Sequence, residues 1–185
     1  MNIFALDIDT RKAAQYHVNN HVSKLVLEHC QLLCTAHRVL DGVLTGSPKK
    51  YRFADSRDTV LYTATHMNHP SAIWTRQGKD NYLWLCEFTQ ELCAEYTYRY
   101  GKVHKCKDIG LLDYLQNNVP CNIGNKSFTM PTPAMPDEYK QQDVVKAYRA
   151  YYLGAKRSMF DWRGKVNERE VPEWVLDSIP EFSYN

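Results

Sequence analysis

Apolar positions in the stretch YHVNNHVSKLVLEHCQLLCTAHR, residues 16–38, recur at helical spacing and predict one helix from about 11 to 40. Asp7, Asp9 and Thr10 are its N-cap candidates, and Asp41-Gly42 is a suitable stop. Ahead of it, MNIFAL reads as a short strand or an extended lead. The segment VLTGSPKKYRFAD reads as a loop from its Gly, Ser and Pro content. DSRDTVLYTATH predicts a second helix over about 55–66, and NHPSAIWTRQG a turn with a short helical piece. The clearest pattern is KDNYLWLCEFTQELCAEYTYRYG, a helix from about 80 to 100 with Gly101 as its cap. Its Leu85, Phe88, Leu92 and Tyr96 form a core-facing stripe. KDIGLLDYLQ predicts one more short helix. Residues 117–136 hold Pro120, Gly124, Pro131, Pro133 and Pro136 and therefore form a long loop. A last main helix is expected over about 137–158, with Asp137 and Glu138 suited to its N-terminal dipole. The tail carries Trp174, Val175, Leu176 and Phe182 and reads as an irregular arm. The expected class is all-α, a compact single-domain bundle of about four to six helices. Residues 1–165 would form the helical domain, with 166–185 packed on it as an arm.

Composition narrows the classes. A chain of 185 residues can bury a real core, and 44% hydrophobic with 24% charged residues is a globular balance. No run of about 18 apolar residues occurs, so no membrane span is expected. The N-terminus lacks the basic and apolar regions of a signal peptide, which predicts a cytoplasmic protein. Cys30, Cys34, Cys86, Cys93, Cys106 and Cys121 include no CxxC pair and mostly sit at helical spacing, so they are expected as buried small hydrophobes. A zinc site using His104 and Cys106 is the weaker alternative, because the paired ligand signature is missing. No cofactor and no metal are expected. Net charge is only +2, but Lys140, Lys146, Arg149, Lys156, Arg157, Arg163 and Lys165 crowd one segment. That segment is either a phosphate-facing surface or an ordinary solvated helix face.

Three groups of residues could carry chemistry. His17, His21, Lys24, Glu28 and Gln31 recur at steps of four and three, which places them on one helical face. The strip either faces water or lines a cleft where burial and Glu28 shift the titration of its neighbours. Lys24 and Glu28 also qualify as a plain i, i+4 ion pair. The run KAYRAYYLGAKR interleaves Lys146, Arg149 and Lys156 with Tyr148, Tyr151 and Tyr152. Cations grip phosphates and aromatic faces accept bases, unless the tyrosines are core residues. His69, Trp74 and Arg76 flank a proline turn and read as a structural corner, with Arg76 and Asn2 as further candidates for nucleic-acid or nucleotide contact.

The order of these features resembles the pyrimidine-dimer DNA glycosylases of the phage endonuclease V type. The resemblance runs over residues 2–157. It rests on AAQYH with Lys24 and Glu28 beyond it, on NHP ahead of a helix ending RYGK, and on the closing run YRAYYLGAK. The chain also resembles small tailed-phage proteins, which implies the cytoplasm of an infected bacterial host. Family membership would imply a helical protein that flips a nucleotide out of duplex DNA. Its N-terminal α-amine would attack the sugar C1′ and form an imine, while a helix carboxylate stabilises charge and assists proton transfer. With Asn2 in second place, Met1 is retained and its own amine is the candidate. The family's carboxylate falls nearest Lys24, so Glu28, one turn later, ranks first for that role. Lys24 itself remains an alternative imine-former, with His21 and His17 as catalytic neighbours. The expected function is a DNA glycosylase or glycosylase/lyase acting on a damaged or modified base. A non-catalytic protein that binds a nucleotide or host factor in counter-defence is the alternative. A metal-dependent nucleotide-modifying enzyme using His17, His21, Glu28 and His37 ranks below both, since HExxH is absent.

Overall fold

The computed structural model describes residues 1–46, 50–180 and 182. It is mostly helical, with nine α-helices and one two-stranded sheet among those residues, more helices than the sequence pattern predicts. In chain order they are α1 (Thr10–Tyr16), α2 (Asn19–Asp41), β1 (Val43–Thr45), β2 (Lys50–Arg52), α3 (Arg57–Val60), α4 (Pro70–Gln77), α5 (Lys79–Tyr100), α6 (Lys105–Asp108), α7 (Leu111–Asn117), α8 (Val144–Ala155) and α9 (Glu173–Ser178). The strands form an antiparallel hairpin in which Leu44 pairs with Tyr51. The tip of the expected loop at residues 47–49, and residues 181 and 183–185 of the expected arm, lie outside the described residues.

The core lies between α2 and α5, with α1, α4 and α7 packed around that pair. The expected stripe on α5 is buried at Leu85, Phe88 and Leu92 and half-buried at Tyr96. Gly101 ends the helix at φ 65°, a left-handed cap that a side chain would strain. MNIFAL is an extended lead rather than a strand. Its Ile3, Phe4, Ala5 and Leu6 are all buried, so the N-terminus is threaded into the core. Five of the six cysteines are buried and all are free, with Cys121 exposed. No helix among the described residues is long and apolar enough to cross a membrane.

The single helix expected over 11–40 is two helices. His17 and Val18 are extended, at ψ 138° and 154°, and break it. The cause is non-local. Arg99 of α5 donates to the carbonyls of Gln15 at 2.9 Å and His17 at 2.8 Å, and Trp162 donates to that of Tyr16 at 2.9 Å. Those carbonyls would otherwise accept from the next helical turn. Asn19 N–H turns outward to the Asp161 carbonyl at 2.9 Å. Arg99 is fully buried and ion-paired to Glu95 at 2.6 Å, and Glu95 in turn holds Arg169 at 3.0 Å.

The helix expected over 55–66 is reduced to α3. Arg38, buried in α2, donates to the carbonyls of Tyr51, Asp58, Leu61 and Tyr62 and to the Asp58 carboxylate. With the Leu61 and Tyr62 carbonyls taken, and Thr65 N–H bonded to Thr35 Oγ1 at 3.1 Å, the chain beyond Val60 runs extended. The short helix expected from KDIGLLDYLQ splits into α6 and α7 at Gly110, which sits at φ 73°. The helix expected over 137–158 shrinks to α8 between two 3-10 turns, Asp137–Tyr139 and Arg157–Met159. Asp143, not Asp137, caps it by accepting from Lys146 N–H at 3.1 Å. The first turn folds back so that the Tyr139 ring lies where a Cβ on Gly154 would stand, 2.5 Å away. In the tail, α9 buries Val175, and Trp174 meets the edges of Tyr16 and Tyr152.

Removing the Arg99 side chain leaves buried Glu95 with Arg169 as its remaining cation and frees two carbonyls. Arg99→Ala is therefore expected to cost about 3–5 kcal/mol in denaturant unfolding. A loss below about 1 kcal/mol would show that the corner at His17 holds without it.

Candidate functional site

The extended lead places its own start over α2. Phe4 adopts φ 49°, a left-handed conformation that is costly for an aromatic residue. Leu6 N–H closes the resulting tight turn on the Phe4 carbonyl at 2.8 Å. Asn2 then locks the lead. Its Nδ2 donates to the Ala134 carbonyl at 2.6 Å, and its Oδ1 accepts from Tyr148 OH at 2.8 Å and from Ile3 N–H at 2.8 Å. The Met1 amine consequently lies 3.9 Å from Glu28 Oε2. Lys24 Nζ lies 3.4 Å from the other oxygen, Glu28 Oε1. One carboxylate on α2 is thus shared by two cations.

These groups open onto a cleft of about 270 Å³ lined also by Phe4, His21, Tyr151 and Lys156. The α2 spacing brings His21, Lys24 and Glu28 to one edge of that helix, while α8 supplies the opposite wall. Phe4 stacks on Tyr151 with ring centroids 5.9 Å apart and planes 9° from parallel, and contacts His21 at 4.7 Å. Lys156 Nζ sits over the Tyr151 ring at 4.9 Å. His21 Nδ1 is hydrogen-bonded to Tyr152 OH. Burial first, then the positive charges of Lys156 and Lys24, push the His21 pKa down to about 4, so the imidazole is neutral near pH 7.

The structure brings together Met1, Asn2, His21, Lys24, Glu28, Tyr151 and Lys156, and places the other candidates elsewhere. His17 lies in the helix break, fully buried, with Nδ1 on the Ala13 carbonyl at 2.5 Å. Burial holds it well below the usual imidazole range, so it belongs to the core and not to the ladder of α2. Tyr148 and Tyr152 are fully buried and spend their hydroxyls on Asn2 and His21, which leaves no face for a base. Arg149 fastens the lead, donating to the Leu6 carbonyl at 2.8 Å and to Asp7 at 3.1 Å. Arg76 folds back onto the Ala72 carbonyl at 2.9 Å and does not line the cleft. Lys146 borders a separate groove of about 780 Å³ beside Ile8 and Met130. Among the described residues no group of three His, Cys, Asp or Glu side chains could hold a metal ion. His104 instead caps α6 by accepting from Cys106 N–H at 3.2 Å.

Three contributors escaped the sequence pattern. Phe4 sets the reversal of the lead, and nothing in MNIFAL marks a left-handed residue. Ala134 anchors Asn2 from the long loop, a contact across 132 positions with no local signature. His69 caps α4 through Nδ1, and its basicity is lowered by burial first and then by the Met1 amine, with Glu28 opposing, so its ring lies within electrostatic reach of both groups. Compared with known proteins, the chain matches no family model, no curated protein and no solved structure.

Burial lowers the basicity of five histidines, with His21 and His37 near 4, His29 near 3, His17 well below its ordinary value and His69 below its own. A depressed folded-state pKa means that the unfolded chain binds the extra protons. Stability is therefore full above about pH 6.5 and falls as pH drops toward about 4. Urea midpoints measured from pH 7.5 to 4.5 are expected to give an uptake of roughly three to four protons on unfolding near pH 5. An uptake below one proton would mean that these imidazoles are not buried in the neutral form.

Proposed function

We propose that the chain is a DNA glycosylase or glycosylase/lyase acting on a damaged or modified base, in the cytoplasm of an infected bacterial cell. The single observation behind this reading is the Met1 amine held 3.9 Å from the Glu28 carboxylate at the edge of an open cleft. An amine and a carboxylate at that separation suit imine chemistry, in which the two must exchange protons with the same sugar. In the neutral amine the nitrogen lone pair forms a bond to C1′. The base departs with the glycosidic electron pair and takes up a proton. Opening of the C1′–O4′ bond then gives the imine. Loss of a C2′ proton gives an enamine, whose electrons then form the C2′–C3′ double bond, restore the imine and expel the 3′ phosphate. Glu28 is the group placed to stabilise the cationic sugar and to carry these protons. Lys24, on the same carboxylate at 3.4 Å, is the reserve nucleophile.

The size of the cleft supports a second reading. At about 270 Å³ it lies near the lower bound of small-molecule sites and suits one nucleotide rather than a length of duplex. A protein that sequesters a nucleotide would use the same cations without turnover.

Borohydride trapping separates the two. Wild-type protein mixed with duplex DNA carrying an abasic site, a pyrimidine dimer or a modified thymine is expected to form a covalent adduct at Met1. Glu28→Gln is expected to retain its fold and lose strand nicking by at least a hundredfold. No adduct with any of these duplexes, together with nucleotide co-purifying with native protein, would replace the first reading with the second. Intact-mass measurement of the trapped N-terminal peptide would assign the adduct to Met1 or to Lys24.

A further inference from the structure

The cleft holds more positive charge than imine formation uses. Among its lining residues Glu28 is the one carboxylate, against the Met1 amine, Lys24 and Lys156. The Lys24 side chain is 66% exposed, so its pairing with Glu28 leaves the ammonium free to turn to a ligand. Lys156 rests on the Tyr151 ring and pairs with no carboxylate among the residues that line the cleft. Both lysines line the cleft together with His21, and after burial their charges are what oppose its protonation.

The tautomer of that imidazole follows from its neighbours. Tyr152 is fully buried, and burial keeps its hydroxyl protonated. Among the described residues His21 Nδ1 is the hydrogen-bond partner of that hydroxyl, so the hydroxyl proton is directed to it. An accepting ring nitrogen carries no proton, and a neutral imidazole then carries its proton on Nε2. His21 lines the cleft, and Nε2 has no protein partner among the described residues. A neutral N–H donor therefore shares the cleft lining with Lys24 and Lys156.

We infer that His21 Nε2–H, Lys24 and Lys156 form an anion subsite that takes the phosphoryl group of a nucleotide, next to the amine and Glu28. Three donors of this kind match the three oxygens of a phosphate, and the two ammoniums offset its charge. That the phosphate belongs to a nucleotide rests on the function proposed above; the anion chemistry itself does not. The same phosphoryl group can arrive on a free monoester or within a DNA strand.

Isothermal titration at fixed ionic strength tests the subsite with thymidine, thymidine 5′-monophosphate and inorganic phosphate. The monophosphate is expected to bind at least about tenfold more tightly than thymidine, with inorganic phosphate competing for it. Lys24→Gln and Lys156→Gln are each expected to weaken the monophosphate about tenfold and to leave thymidine unchanged. His21→Phe keeps a ring against Phe4 and removes the donor, with a similar loss expected. Exposed Lys24 and half-buried Lys156 carry the test should that buried change impair folding. A duplex that displaces the monophosphate, and itself weakens in the lysine variants, identifies a phosphodiester as the natural occupant; a duplex that does not displace it identifies a free monoester. Equal affinity for thymidine and its monophosphate, or unchanged affinity in the Lys24→Gln/Lys156→Gln double variant, overturns the subsite. Wild-type protein that forms no borohydride adduct yet shows the lysine-dependent affinity refutes the lyase reaction and keeps the subsite. An adduct without any phosphate dependence does the reverse.

Discussion

The ion pair between Glu95 and Arg99 governs more of this chain than any single apolar contact. Both side chains are buried, and a buried charge must have its hydrogen-bonding capacity filled. Arg99 meets that demand by drawing in the carbonyls of Gln15 and His17 and the side chain of Asn19. Glu95 meets it by accepting from Arg169, whose guanidinium also covers Tyr98 at 3.9 Å. The pair thus ties α5 to the corner between α1 and α2 on one side and to the C-terminal arm on the other. The interruption of α2 at its start is a consequence of that demand. An uninterrupted helix would keep those carbonyls for itself and leave the guanidinium unsatisfied.

A second buried arginine works on the same principle at the far end of α2. Arg38 collects four carbonyls and the Asp58 carboxylate, which holds residues 51–62 against the helix without secondary structure of their own. Asp58 in turn accepts from Phe53 N–H and Arg52, and these donors with Arg38 hold its pKa near 2. Both arginines convert a polar requirement in the core into a fixed path for a loop. Between them α2 runs unbroken from Asn19 to Asp41 and presents His21, Lys24 and Glu28 along one edge.

What the sequence made legible was whatever local spacing decides. The α5 stripe, its glycine cap, the long proline-rich loop and the shared edge of His21, Lys24 and Glu28 all follow from periodicity and turn chemistry. The break at His17 did not, because its agents, Arg99 and Trp162, lie 82 and more positions away along the chain. The same limit affected the tyrosines. Tyr148, Tyr151 and Tyr152 look equivalent in sequence, yet the angle of α8 buries two and leaves the third on the cleft wall. Met1 entered through a family resemblance and not through any residue pattern. Its position depends on Phe4 and on Asn2, whose partners come from the loop and from α8.

The placement of charge around the cleft follows a consistent logic. The wall contributes neutral groups, with His21 kept uncharged by burial and Tyr152 kept protonated. The rim contributes the charged ones, where water still reaches Lys24. An imidazolium in the wall would repel both lysines and cost desolvation as well. A neutral imidazole avoids both penalties and keeps a directional donor. Glu28, at the boundary between wall and rim, is poised differently, since it alone balances the Met1 amine and Lys24. Its two oxygens face separate cations, so any further cation arriving from the cleft competes with the Met1 amine and Lys24 instead of bulk solvent. That arrangement makes Glu28 the residue through which the amine and the rim lysine sense each other.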